Sequence, residues 1–400
     1  MSRPGSPLFL FVLVALTALG PMSMQIFLPA LPAIRNEFAV TGAAAQATLS
    51  VSMLAIALST LVYGPLSDRF GRRPIIIFGL VVYLVGSVMC AVAPDIWVLV
   101  SGRALQGAGG ASGMVLARAI VRDVYSRERS AAVIAYLTTA MAVAPMAAPA
   151  IGGVLTEFVS WRANFAFVGL IGLAIGVLVL VRLTETHTER EREFGFGGML
   201  RGFGCLLAQP IFCGYAFNAA FSLSVFFAFI SGAPYVMVDI LHRPASEYGF
   251  YFILTAIGFM SGSFVAARIS ERMGIDRMIL AGSTLSLVTV VGTAGLLAAG
   301  LWHPLTLFGP ASVAAFATGL SMPNAQAGAI SVNPKAAGTA SGLLGFIQMA
   351  VGAGVAQTVG TIHDGTPYPM IAVMLACAGL GLAAIALPLW YHWRTGRAAT

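Results

Sequence analysis

Twelve stretches of about twenty mostly apolar residues divide this 400-residue chain, and that pattern constrains it more than any other feature. An α-helix rises about 1.5 Å per residue, so each stretch is long enough to cross the roughly 30 Å hydrocarbon core of a bilayer. The predicted spans are 8–31, 44–63, 75–93, 96–117, 131–155, 163–182, 211–236, 248–268, 279–300, 305–330, 338–361 and 368–390. Charged residues make up only 9% of the chain, against roughly 25% in a soluble domain. Hydrophobic residues make up 58%, and mean hydropathy is +0.89. A chain of this kind cannot cover a water-facing surface, so lipid is its solvent and the expected fold class is an all-α integral membrane protein. Soluble enzymes and nucleic-acid-binding domains are excluded. The net charge of +7 comes from basic residues scattered through short loops, which form no continuous basic face.

Six spans precede the polar stretch Leu183–Arg201 and six follow it. This divides the chain into an N-terminal half (1–182), a linker (183–205) and a C-terminal half (206–400). With the N-terminus placed inside, seventeen Lys and Arg residues fall in cytoplasmic loops and only Arg35, Arg162 and Arg243 fall outside. Both termini are therefore expected in the cytoplasm. One helix too many or too few would invert every later loop, so the charge count also supports the number of spans. Arg3 followed by an apolar run imitates a signal peptide, but the run continues to Ile34 with no clear cleavage site, and it is read as an uncleaved first span. Cys90, Cys205, Cys213 and Cys377 show no C-x-x-C spacing and read as small buried hydrophobes.

Between spans two and three lies Gly64-Pro-Leu-Ser-Asp-Arg-Phe-Gly-Arg-Arg-Pro74, and a weaker copy, Ala267-Arg-Ile-Ser-Glu-Arg-Met-Gly274, lies 203 residues later. Ser67, Asp68, Arg69 and Gly71 align with Ser270, Glu271, Arg272 and Gly274. A charged loop repeated between paired apolar runs indicates a duplicated transporter. Gly64 and Gly71 permit tight turns, and Asp68 can pair with an arginine or accept from a helix N-terminus. Arg69, Arg72 and Arg73 also anchor topology. Anchoring alone needs no acid flanked by glycines at fixed spacing, so a gating role is favoured. The second copy has Ile275 and Asp276 where the first has Arg72 and Arg73, so a cytoplasmic latch is expected mainly in the N-terminal half.

The loop Gly64–Pro74 resembles the signature loop of the major facilitator superfamily. Arg103-Ala-Leu-Gln106-Gly107 is similar to its R-x-x-Q-G motif. Pro149-Ala-Ile-Gly152-Gly153 resembles its proline-glycine antiporter motif, with Ala148 where glycine is usual. Leu28-Pro-Ala-Leu-Pro-Ala-Ile34 and Arg118-Ala-Ile-Val-Arg122-Asp123-Val-Tyr125 resemble the Bcr/CflA drug-efflux branch. The resemblance implies twelve helices in two pseudo-symmetric halves and proton-coupled export of hydrophobic drug-like compounds, hence antibiotic resistance, from a bacterial inner membrane. It also implies an inner charge cluster of Asp68, Arg72 and Asp123, and a coupling role for Arg103. Arg103 sits about 10 Å along span four from its outer end, where a cation is costly unless paired or hydrated. Snorkelling to the outer surface is the alternative.

One position departs from the pattern. The branch commonly carries an aspartate in span one where this chain has Gln25, which cannot titrate, and none of the fifteen acids lies near mid-membrane. Coupling could use Glu37 or Asp95 near the outer face, could run through Asp68 and Asp123, or could be absent. The leading reading is a proton antiporter, and the alternative is a facilitator or exporter of a small metabolite without coupling. Candidate cavity residues are Gln25, Arg103, Gln106, Asn218, Phe227, Tyr235, Asn324, Gln326 and Gln348. An apolar cavity with scattered amides suits lipophilic solutes. Glycines on spans four and eleven are expected to form close-packing faces. No cofactor, metal site, catalytic constellation or G-x-x-x-x-G-K-[ST] nucleotide loop is expected, and a monomer is mechanically sufficient.

Overall fold

The computed structural model describes residues 7–186, 196–333 and 336–395. The described residues form fourteen α-helices with no strand. The first span is broken. Helix α1 (Pro7–Gln25) gives way to a 3-10 turn, Leu28–Ala30, and α2 (Leu31–Glu37) completes the crossing. Pro29 and Pro32 remove the N–H groups that would have continued one ladder. Next come α3 (Gly42–Phe70), α4 (Arg72–Ala91), α5 (Ile96–Val124), α6 (Arg127–Phe158) and α7 (Trp161–Arg182). A short helix, α8 (Phe196–Leu207), precedes α9 (Pro210–Tyr235), which ends in a π-helical turn, Val236–Ile240. The remaining helices are α10 (Ala245–Met273), α11 (Ile275–Ala298), α12 (Pro304–Ser331), α13 (Ala337–Thr361) and α14 (Tyr368–Thr395).

With α1 and α2 as one span and α8 set aside, these are twelve membrane helices. Ten are both long and apolar enough to cross a bilayer among the described residues. Helices α5 and α6, with 29 and 32 residues, are also of spanning length. Short loops end in explicit caps. Thr41 accepts from the Ala44 N–H (3.3 Å), and Asp95 accepts from those of Trp97 (2.8 Å) and Val98 (3.0 Å). Ser160 accepts from the Arg162 N–H (3.1 Å), and His303 forms a capping box with Thr306. Each cap contributes about 1 kcal/mol and fixes where the chain turns.

The chain forms two compact units. One is Met1–Gly195 with Pro244–Gly249, and the other is Phe196–Arg243 with Phe250–Thr400. In the first, α5 is the central helix. A Cβ placed on Gly107, Gly109 or Gly113 would come within 2.7 Å of the Ser52, Gly79 or Leu16 carbonyl oxygen respectively. Backbones of α3, α4 and α1 therefore touch α5 directly, which only glycine permits. The matching expectation for span eleven, at Gly345, Gly352 and Gly354, is not met at the first or the last of these. A Cβ added at Gly345 or Gly354 would have no described atom within 4 Å.

The repeated loop is duplicated in its backbone as well as its sequence. Gly71 and Gly274 both adopt positive φ, +98° and +80°, between consecutive helices. Their N–H groups donate to the Ser67 and Ser270 carbonyls, each at 2.9 Å.

Candidate functional site

The first group of candidate residues gathers at the end of the first unit where α3 meets α4. Arg72, with its side chain 8% exposed, is the centre. Its Nη1 donates to Asp68 Oδ1 (2.5 Å) and Ser67 Oγ (2.5 Å), and its Nε donates to Asp123 Oδ2 (2.9 Å). One guanidinium thus ties α3, α4 and α5. Planar geometry with several donors lets arginine hold two acids at once, which a lysine point charge does less well. Arg73 Nη2 donates to the Leu180 carbonyl at the end of α7 (3.0 Å). Arg69 is exposed and lies over the Phe70 ring, 5.2 Å from its centroid. Gly64 lies on α3 three residues before Ser67, and Arg118 and Arg122 lie on α5 just before Asp123.

Glu185 belongs to this site although nothing in its sequence marks it. Its carboxylate accepts from the backbone N–H groups of Arg72 (2.9 Å) and Arg73 (3.2 Å), the open donors at the start of α4. Thr186 Oγ1 donates to Asp123 Oδ2 (3.4 Å). A negative group at a helix N-terminus meets both free N–H groups and the positive end of the helix dipole. Gly71 is required here twice over. Its φ is positive, and a methyl at that position would come within 2.5 Å of Glu185 Oε2.

Arg103 lies in the interior of the same unit and does not reach the surface. Its Nε donates to the Thr48 carbonyl (3.2 Å), and its Nη1 donates to the Ser23 carbonyl (3.1 Å) and to Gln106 Oε1. Gln106 in turn donates to Ser87 Oγ (2.9 Å). The guanidinium stacks on Phe27, 4.1 Å from the ring centroid, with Phe165 at 5.9 Å. Gln25 is buried on α1, two residues beyond Ser23, and its Oε1 has no partner among the described residues. Gly152 places α6 against the break in the first span, where a Cβ would lie 1.7 Å from the Ile26 carbonyl oxygen, while the Pro149 carbonyl on the same helix lies 2.4 Å from where a Cβ on Gly249 would sit. Gly153 follows on the same helix.

Glu37 and Asp95, the two acids expected near the outer face, are both engaged. Glu37 accepts from Arg162 Nη1 and from Trp161 Nε1, each at 2.5 Å, and Asp95 caps α5. No motif in the sequence marks these ties.

In the second unit Asn218 donates to Ser283 Oγ (2.9 Å) and the Gly381 carbonyl (2.7 Å), joining α9, α11 and α14. Asn324 donates to the Leu320 carbonyl of its own helix (2.8 Å). Phe227, Tyr235 and Gln348 are buried and Gln326 is half-buried. A narrow apolar cavity opens among Val225, Phe226, Phe229, Thr255, Ala311, Ala314, Ala315, Thr318 and Met374. At the repeated loop of the second unit, Tyr215 Oη donates to Asp276 Oδ1 (2.6 Å) where the first unit has its arginine cluster. Among the described residues no group of histidines, cysteines and acids could hold a metal ion.

Comparison with known proteins agrees with this architecture. Residues 13–357 match the model of the Major Facilitator Superfamily. The chain is 31% identical over 396 residues to a bicyclomycin resistance protein homolog of Haemophilus influenzae, covering 98% of this chain and 96% of that one. It is 30% identical over 411 residues to multidrug resistance protein D of Escherichia coli, covering 97% of each. Among solved structures, a peptide transporter in complex with sulfate shares the fold with a TM-score of 0.76 at 16% identity, over 99% of this chain and 96% of that one. A D-xylose-proton symporter does so at 0.75 and 13%, over 95% and 96%. The chain belongs to the major facilitator superfamily, as a membrane transporter rather than an enzyme, with relatives of the Bcr/CflA-like drug-efflux type.

Proposed function

We propose that this chain exports small hydrophobic, drug-like compounds from the bacterial cytoplasm by alternating access, in exchange for protons. It would act as a monomer in the inner membrane with both termini cytoplasmic. The observation that carries the export reading is the end-to-end similarity to relatives named for drug resistance. The seventeen-to-three bias of basic residues supports the orientation.

In this reading Asp68, Arg72 and Asp123 tie helices at the cytoplasmic end in one state and release them in the other. Gly64, Arg69, Gly71, Arg73, Arg118, Arg122, Pro149, Gly152 and Gly153 shape that switch. Gln25, Arg103, Gln106, Asn218, Phe227, Tyr235, Asn324, Gln326 and Gln348 serve coupling or substrate contact. A second reading, export without proton coupling, is favoured by one observation: no described acid pairs with Arg103 in the interior. The test is efflux from proteoliposomes with and without an imposed pH gradient. Acceleration by the gradient is expected, and indifference to it would end the antiport reading while leaving export intact.

A further inference from the structure

Four helices of the first unit enclose one cation. Arg103 meets α1 through the Ser23 carbonyl, α3 through the Thr48 carbonyl, α5 through Gln106 and α7 through the Phe165 ring. All of these partners are neutral. Three of the five guanidinium N–H groups are used, and Nη2 has no partner among the described residues. Among the described residues the ion-paired acids lie at the ends of the helices. Asp68 and Asp123 bind Arg72, and Glu37 binds Arg162. The repeat-related helices of the second unit, α9, α10, α12 and α14, enclose the apolar cavity beside Phe226 and Thr318, which carries no charged side chain. Among the described residues, the buried interior therefore holds a positive charge with no negative one.

A guanidinium stays charged at any pH a cell meets. In a low-dielectric interior its field is strong, and the ring faces offset only part of it. The same field attracts an anionic solute and repels a cationic one. We propose that the transported compound supplies the missing counter-charge: Arg103 selects lipophilic solutes bearing a carboxylate or comparable acidic group, with Nη2 donating to that group, and rejects lipophilic cations. The proposal rests on the export reading and narrows its substrate class. It also accounts for Gln25. An anion leaving a cell whose interior is negative moves down the membrane potential, a bias of about fiftyfold in concentration per 100 mV. Export of such a solute needs no titrating acid in the core.

The test is equilibrium binding to the purified full-length protein in non-ionic detergent, read by fluorescence anisotropy. Fluorescein (anionic) and rhodamine 6G (cationic) share a xanthene skeleton and differ in charge. Fluorescein should bind at least tenfold tighter. Arg103→Gln should abolish the preference and Arg103→Lys should keep its sign, with folding checked by gel filtration and helical circular dichroism. A purely structural arginine would alter both affinities together and leave their ratio unchanged. Where Arg103→Gln does not fold, competition decides: 2-naphthoate should displace fluorescein from the wild-type protein and its methyl ester should not. Equal affinities, a cation preference, an unchanged ratio in Arg103→Gln, displacement by the ester, or binding of neither dye would each overturn the proposal. Resistance of cells to uncharged compounds tests the export reading separately.

Discussion

Arg72 shares one guanidinium between two acids, so substitutions at those acids should not be independent. Asp68→Asn and Asp123→Asn each keep a hydrogen-bond acceptor and remove a charge. A hydrogen bond to a charged group contributes about 1.5–3 kcal/mol. The Asp68 side chain is 36% exposed and the Asp123 side chain 19%, so solvent screens the first more. About 1 kcal/mol is expected from Asp68→Asn and about 2 from Asp123→Asn. In the double variant Arg72, only 8% exposed, retains no counter-ion. Stranding a buried charge costs about 3–5 kcal/mol, so the double variant should exceed the sum of the singles by about 1 kcal/mol. If the cluster stabilises one transport state, single variants should slow efflux by about five- to thirtyfold, since 1.4 kcal/mol is a factor of ten. The assay is initial efflux rate in proteoliposomes for all four members of the cycle, with reconstituted protein quantified. Wild-type rates in both single variants, or effects that multiply to within about twofold, would refute the shared-arginine argument.

Two further outcomes follow from the geometry. Glu185→Ala uncovers two N–H groups at the start of α4; it should cost about 1 kcal/mol, like loss of a helix cap, and should expose the linker at residues 183–186 to faster proteolysis without loss of membrane insertion. Unchanged cleavage kinetics would contradict that docking. Gly152→Val should block export or folding, because even a single Cβ there meets the Ile26 carbonyl oxygen at 1.7 Å. Wild-type transport and thermal stability in that variant would show that α6 does not rest on the break in the first span.

The fold is legible in the sequence because span length and loop charge are local, additive signals. Its boundaries are less so. The apolar run predicts a second span over 44–63, yet α3 runs from Gly42 to Phe70. The helix continues beyond the apolar run and carries Ser67, Asp68 and Arg69 with it, because backbone hydrogen bonding does not stop where lipid does. The Arg72 cluster is readable from spacing and resemblance. Glu185 is not, since its role depends on the chain returning to α4 after 113 residues. One acid in a polar linker looks like any other. Glycine identity is equally ambiguous: Gly109 and Gly354 look alike in sequence, but only the first has another backbone pressed against it. Asn218 reads as a polar group facing a cavity until the partners of its amide, Ser283 and Gly381, are located.

The glycine face of α5 has a mechanical consequence. Where backbones of α1 and α4 rest directly on Gly113 and Gly109 of α5, no side chain intervenes to change rotamer and absorb displacement. Such a contact is stiff: it transmits a push almost unattenuated. The open surroundings of Gly345 and Gly354 leave that face of α13 without any such contact. Strain generated at Arg72 would then travel through the first unit as through a lever.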